Sequence, residues 1–130
     1  EPRDTDLHAT ALREFAEETG ADPAGFDVVG ELTRVHIPPS RNLVTPVVAW
    51  CGALGPLRPD PREVERLIDV PLAELLRPDI LRSRPMVLGS PGREYNVAYW
   101  ELQGQVVWGA TALMIAELRE VLGEALRPVA

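Results

Sequence analysis

From Leu7 to Thr19 the chain holds neither glycine nor proline, and Leu12 and Phe15, with Ala9, Ala11 and Ala16, can form a small apolar stripe. That period predicts a helix, with Asp4, Thr5 and Asp6 as N-cap candidates and Gly20 as a left-handed C-cap. Asp22-Pro23-Ala24-Gly25 predicts a turn. Phe26 to Val35 predicts a strand containing Gly30, and His36 to Arg41 a loop, because adjacent Pro38 and Pro39 cannot sit inside a paired strand. Asn42 to Gly52 is the most apolar stretch and predicts a buried strand, with Pro46 marking an edge or bulge in its first half. A proline-rich loop, Gly55 to Pro61, follows. Val64, Arg66, Ile68 and Val70 then alternate with Glu63, Glu65, Leu67 and Asp69, which predicts a half-buried strand from Glu63 to Val70. Pro71 to Leu76 reads as one or two helical turns, and Tyr95 to Leu102 with Gln105 to Trp108 as a hairpin across Gly104. Gly109 to Leu126 closes the chain as an amphipathic helix, with Leu113, Ala116, Leu118, Val121 and Leu122 as core candidates.

Strands interleaved with helices, joined by hairpins too short for parallel crossovers, predict an α/β fold with a mixed sheet clasped between helices. A length of 130 residues suits one domain with one core, and no internal repeat or low-complexity tract argues otherwise. No apolar run approaches the roughly 20 residues that span a bilayer, so no membrane association is expected. A lone cysteine, Cys51, cannot form an internal disulfide, which suits a reducing cytoplasm; its apolar strand makes it an inert thiol. The net charge of -7 argues against a nonspecific nucleic-acid partner, which would need a basic surface, and is a balance to which a cation-binding site would contribute. All cationic side chains are arginine, a compositional bias with no functional reading.

The chemistry concentrates in Arg13-Glu14-Phe15-Ala16-Glu17-Glu18-Thr19-Gly20. On a helix, Glu14, Glu17 and Glu18 share one face, and like charges so spaced repel. A divalent cation turns that cost into binding, because magnesium and manganese favour carboxylate oxygens. Arg13 stands i, i+4 from Glu17 and can brace it. A solvated acidic face would explain the same spacing.

These residues resemble the R-E-U-x-E-E-x-G half of the Nudix box, where U is a bulky apolar residue: Arg13, Glu14, Glu17, Glu18 and Gly20 fill every fixed position. Two positions depart from it. Ala21 stands where a larger aliphatic is usual, and Thr5 stands at the earlier glutamate, flanked by Asp4 and Asp6. The box opens with a glycine-rich loop, so the resemblance implies that this loop and at least one strand precede Glu1, the visible 1–130 being the rest of a single domain. The stretch from Asp4 to Glu14 is further similar to the D-x-D-x-x-x-T-A-L-R-E form of the coenzyme A pyrophosphatase branch. Val44-Thr45-Pro46-Val47-Val48-Ala49, Pro61-Arg62-Glu63-Val64 and Trp108-Gly109-Ala110-Thr111-Ala112 resemble that branch in the expected order. The fold implied is an α/β/α sandwich around a mixed sheet.

The activity implied is metal-dependent hydrolysis of the diphosphate of coenzyme A, giving 4′-phosphopantetheine and adenosine 3′,5′-bisphosphate, with Glu14, Glu17 and Glu18 as ligands of Mg2+ or Mn2+. The general base is Glu14 or its rival Glu63. Ser40 and Arg41 are candidates for phosphate binding, since arginine forks suit phosphate oxygens and loops commonly build sites. Tyr95, Tyr99 and Trp100 could stack on adenine, although alternating aromatics in a strand are usually core or sheet surface. His8 and His36 read as a polar helix face and a loop, and Trp108 as core. Two further functions fit the same helix: a pyrophosphatase of ADP-ribose or dinucleotides, and a catalytically inactive nucleotide-binding module. A Gly-Gly pair upstream of Glu1 would favour an enzyme. A purely structural acidic domain would leave the ordered matches unexplained. Apolar strand edges such as Leu43 to Val48 could pair two copies into a homodimer.

Overall fold

The computed structural model describes residues 2–37 and 42–128, with the backbone alone for residues 2–6. The chain divides into two compact units, Glu1–Leu32 with Thr45–Ile68, and Thr33–Val44 with Asp69–Ala130.

The first unit is built on helix α1, Pro2–Thr19. It starts earlier than the capping pattern suggests: Pro2 takes the first helical position, where a missing N–H costs nothing. Asp4 and Asp6 therefore lie within the helix, in early turns that favour acidic residues. Gly20 ends it at φ 75°, its N–H bonded to the Ala16 carbonyl at 2.8 Å. Asp22 then accepts from the Ala24 N–H at 3.0 Å and caps a 3-10 turn, Pro23–Gly25. Strand β1, Phe26–Glu31, pairs antiparallel with β4, Val47–Cys51, through a register shift between Val28 and Gly30. An edge-on contact between Phe15 and Phe26, ring centres 5.4 Å apart, seats the helix on this pair. His8 bonds Glu31 at 2.9 Å, so the histidine expected on a polar face ties α1 to the end of β1.

Two strands expected to be continuous are broken. Phe26 to Val35 stops at Glu31, and Asn42 to Gly52 is interrupted at Thr45-Pro46. Both breaks meet where the Leu32 N–H reaches the Pro46 carbonyl at 2.9 Å; proline has no N–H to return, so the ladder cannot continue. The expected strand from Glu63 to Val70 does not form. Asp60 instead organises a turn whose carbonyl takes the N–H groups of Glu63 and Val64 at 3.1 and 2.8 Å.

In the second unit β2, Val35–Ile37, pairs antiparallel with β3, Asn42–Val44. His36 and Ile37 thus lie in a strand where a loop was expected, while Pro38 to Arg41 lie outside the described residues. Helix α2, Leu72–Leu75, precedes a three-stranded antiparallel sheet ordered β5-β6-β7: Leu81–Leu88, Arg93–Leu102 and Gln105–Val107. The sequence pattern does not reveal β5 because Arg82, Arg84 and Pro85 interrupt its apolar positions; an edge strand tolerates that proline. Helix α3, Gly109–Ala125, covers the core of Leu75, Ile80, Trp100 and Leu102 with Ala112, Ile115, Ala116, Leu118 and Leu122. Leu113 and Val121, expected in that core, are exposed because they fall off this i, i+3, i+4 stripe. Trp108, also expected inside, is the extended residue before the helix and is exposed as well. Every strand pairing among the described residues is antiparallel, and helices and strands together make the α/β class.

Candidate metal and diphosphate site

The apolar side of α1, with Ala11, Leu12 and Phe15, lines a hollow of about 280 Å³ together with Phe26, Val47 and Ala49. The helical period sets Glu17 opposite that side and Glu14 and Glu18 along its flank, and all three are exposed. Arg13, also exposed, donates to Glu17 Oε1 at 3.0 Å, which is the brace expected from its spacing. The Glu14 and Glu18 carboxylates accept no hydrogen bond from any described residue. Among the described residues no three acidic, histidine or cysteine side chains already converge as a metal cage. The donor set fits a hard divalent cation nonetheless: oxygen ligands on one solvent-open helical face, two of them unengaged.

What holds the end of this helix is backbone. The last carbonyls of a helix lack partners within it. Here the Arg58 N–H donates to the Thr19 carbonyl and the Asp60 N–H to the Glu18 carbonyl, both at 2.8 Å. The proline-rich loop can lie so close only because residue 20 is glycine: a Cβ there would stand 2.7 Å from both Arg58 N and Arg58 O. Thr19, buried, turns its hydroxyl to the Phe15 carbonyl at 2.7 Å and tightens the same turn.

Asp60 links helix and loop. Its N–H holds Glu18, and its carboxylate accepts from the Arg62 guanidinium at 3.1 and 2.8 Å and from the Arg62 N–H at 2.9 Å. Those bonds hold the Asp60 carboxyl at a pKa of about 2, against an ordinary 3.8. Glu63 sits at the far side of this turn, exposed, its N–H on the Asp60 carbonyl. Two backbone hydrogen bonds therefore connect the Glu18 main chain to Glu63, a proximity that a reading of Glu63 as a strand residue does not provide. The role of Asp60 has only a faint trace in the sequence, where Asp-Pro-Arg is a turn signal.

Of the other residues singled out, Tyr95 lies on β6 in the second unit, 48% exposed. Tyr99 is half-buried under Arg84, and Trp100 is core: only 6% exposed, it donates its indole N–H to the Ala112 carbonyl at 2.9 Å and carries Arg119 over its ring. Ser40 and Arg41 lie outside the described residues. His36 is exposed on β2 and Cys51 half-buried on β4. No helix among the described residues is long and apolar enough to cross a membrane.

A helix with an acidic outer face, closed by a glycine that a returning loop requires, inside an α/β chain, is an arrangement that comparison with known proteins places. The family model of the NUDIX domain matches residues 1–88, and the chain belongs to the Nudix family. It is 32% identical over 123 residues to an uncharacterized Nudix hydrolase, NudL, of Photorhabdus laumondii, covering 92% of this chain and 63% of that protein. To the NudL of Cronobacter sakazakii it is 36% identical over 121 residues, 93% of this chain and 62% of the relative. It is 35% identical over 116 residues to the human mitochondrial coenzyme A diphosphatase NUDT8, covering 88% of this chain and 48% of that one. The chain thus spans less than two thirds of the length of these relatives.

Proposed function

We propose that this chain carries the metal-binding and catalytic helix of a diphosphatase that cleaves coenzyme A or its derivatives to 4′-phosphopantetheine and adenosine 3′,5′-bisphosphate. The carrying observation is the exposed trio Glu14, Glu17 and Glu18 on a helix whose end is fixed by Gly20 and the Arg58–Asp60 backbone. A relative named for the coenzyme A reaction supports the substrate class.

In this reading Glu14, Glu17 and Glu18 hold Mg2+ or Mn2+. A cation bound there supplies charge neutralisation for the diphosphate and acidifies the attacking water. Arg13 keeps Glu17 in one rotamer, which pre-organises that ligand. Glu14 or Glu63 accepts the proton of the water as its oxygen bonds to phosphorus and the bridging P–O bond breaks, each product leaving with one of the two phosphates of the diphosphate. Glu63 suits the role because the Asp60 turn fixes its backbone against the main chain of Glu18. Ser40 and Arg41 contact phosphate, and Tyr95 stacks on the base. The single half-buried thiol, Cys51, suits a reducing compartment such as the cytoplasm.

The complete polypeptide with coenzyme A and magnesium, followed by mass spectrometry, tests this. ADP-ribose and diadenosine polyphosphates run alongside, and Glu18→Gln serves as control. Preferential release of adenosine 3′,5′-bisphosphate, lost in the variant, is expected. Cleavage of another substrate would discard the coenzyme A assignment, and cleavage of none would discard catalysis.

A further inference from the structure

Asp60 engages every polar group it has in the turn that meets the end of α1, all within the first unit. Its N–H donates to the Glu18 carbonyl at 2.8 Å, and its own carbonyl accepts the N–H groups of Glu63 and Val64 at 3.1 and 2.8 Å. Both carboxylate oxygens are taken by Arg62: Oδ1 accepts the backbone N–H at 2.9 Å and Nε at 3.1 Å, and Oδ2 accepts Nη2 at 2.8 Å. The backbone bond closes a side-chain turn across Pro61, and the guanidinium fork locks the rotamer that makes it. The Asp60 side chain is only 19% exposed although Arg62 is 86% exposed, so the acceptor of this pair is the enclosed partner. Glu63, by contrast, is exposed, and its carboxylate accepts no hydrogen bond from any described residue. One residue thus joins the main chain of a proposed metal ligand to a carboxylate that is free to act.

Glu14 and Glu63 compete for the proton of the attacking water, and their surroundings decide between them. Glu14 shares its helical face with Glu17 and Glu18, so a cation held there would draw on its lone pairs and weaken it as a proton acceptor. Glu63 stands outside that trio, and Asp60 holds both arms of the Arg62 fork that could otherwise pair with it. What Glu63 needs is a fixed position. A base must lie within hydrogen-bond reach of its proton, and a misplacement of about 1 Å can cost about a hundredfold. We infer that Asp60 is a positioning residue of the hydrolysis: its Arg62-locked turn holds Glu63 against the carbonyl end of α1 as the proton acceptor. This rests on the diphosphatase reading above and chooses between its two candidate bases. The proton passes from water to the Glu63 carboxylate as the water oxygen bonds to phosphorus, and the bridging oxygen leaves with the electron pair of the broken bond. Asp60 touches neither water nor substrate and acts through Glu63.

The test is steady-state hydrolysis of coenzyme A and of ADP-ribose, with magnesium, by the complete polypeptide. The proteins compared are wild type, Asp60→Ala, Asp60→Asn, Glu63→Gln and the double variant Asp60→Ala with Glu63→Gln. Asp79→Ala is the control, because Asp79 accepts a similar fork from Arg77, at 3.2 and 2.9 Å, in the second unit. Asp60→Ala should lower kcat about ten- to a hundredfold and leave KM within about twofold, as displacing a base does. In the Glu63→Gln background the same substitution should cost less than about twofold more, since no base remains to be positioned. Asp60→Asn should recover part of the loss, because its amide oxygen still accepts the Arg62 N–H. Asp79→Ala should match wild type. Hydrogen exchange in the metal-free protein supplies a readout independent of turnover: the Glu63 and Val64 amides should exchange at least about tenfold faster in Asp60→Ala. Unchanged exchange there, wild-type kcat in Asp60→Ala, or losses that multiply in full in the double variant would overturn the inference while leaving the diphosphatase reading standing. Hydrolysis of ADP-ribose in place of coenzyme A, with the coupling intact, would discard the coenzyme A assignment alone. Hydrolysis of neither by wild type would overturn both.

Discussion

Gly20 is where the geometry of α1 is most exposed to a single atom. Replacing it by alanine has two costs that a second glycine separates. At φ 75° an alanine occupies the left-handed region, at about 1–2 kcal/mol. Its Cβ would also stand 2.7 Å from the Arg58 N and O, backbone atoms that cannot rotate aside. The loop must retreat, and the Arg58-to-Thr19 and Asp60-to-Glu18 bonds stretch with it, each contributing about 1 kcal/mol. Gly20→Ala should therefore destabilise by about 2–4 kcal/mol. Gly104, at φ 72° in the β6–β7 turn, has open space where a methyl would go, with nothing within 4 Å. Gly104→Ala thus carries the dihedral cost alone, about 1–2 kcal/mol. Urea unfolding of both variants in the complete polypeptide, read by circular dichroism, gives the difference directly. Equal destabilisation by the two substitutions would refute the claim that the returning loop requires glycine at residue 20.

Three further outcomes follow from the packing. Arg62's side chain and N–H hold the Asp60 carboxyl at about 2, so the contribution of its turn is complete above the ordinary 3.8 and is lost as pH falls through about 2. A carbon-detected NMR titration should find the Asp60 carboxyl titrating near the lower value, and a midpoint at the ordinary one would remove Asp60 as the organiser of the turn. Leu102→Ala empties a site only 3% exposed in the core of the second unit and should destabilise it by about 2–4 kcal/mol; a loss below about 1 kcal/mol in the unfolding curve would contradict the core assignment. Glu117 accepts from the Thr33 N–H and hydroxyl at 2.9–3.0 Å, so Glu117→Ala should raise the hydrogen-exchange rates of the Val35–Ile37 amides, and unchanged rates would show that this carboxylate does not hold the strand.

Local chemistry makes α1 legible in sequence: the glutamate spacing, the Arg13 brace and the Gly20 cap need only residues within one or two turns. The 3-10 turn at Asp22 and the hairpin at Gly104 are legible for the same reason. What the sequence hides depends on partners far along the chain. Pro46 is visible as a flaw in one strand, but its meeting with Leu32 at a second break is not, because strand pairing is not encoded in either segment alone. Glu63 to Val70 alternates correctly yet finds no strand partner, since Asp60 draws its start into a turn beneath α1. The β5 strand hides behind the arginines that give its outer face its character. Leu113 and Val121 are apolar at positions the helix does not bury, and only the core of Leu75, Ile80, Trp100 and Leu102 fixes which side of α3 faces inward.

The most direct test of the central claim is divalent-cation binding to the complete polypeptide, paired with coenzyme A turnover, in wild type and in Glu18→Gln. The account predicts that the variant loses Mn2+ affinity and the release of adenosine 3′,5′-bisphosphate together, while its unfolding curve stays that of wild type because the exposed Glu18 side chain bonds no described residue. Unchanged cation affinity and unchanged turnover in a folded Glu18→Gln protein would contradict it.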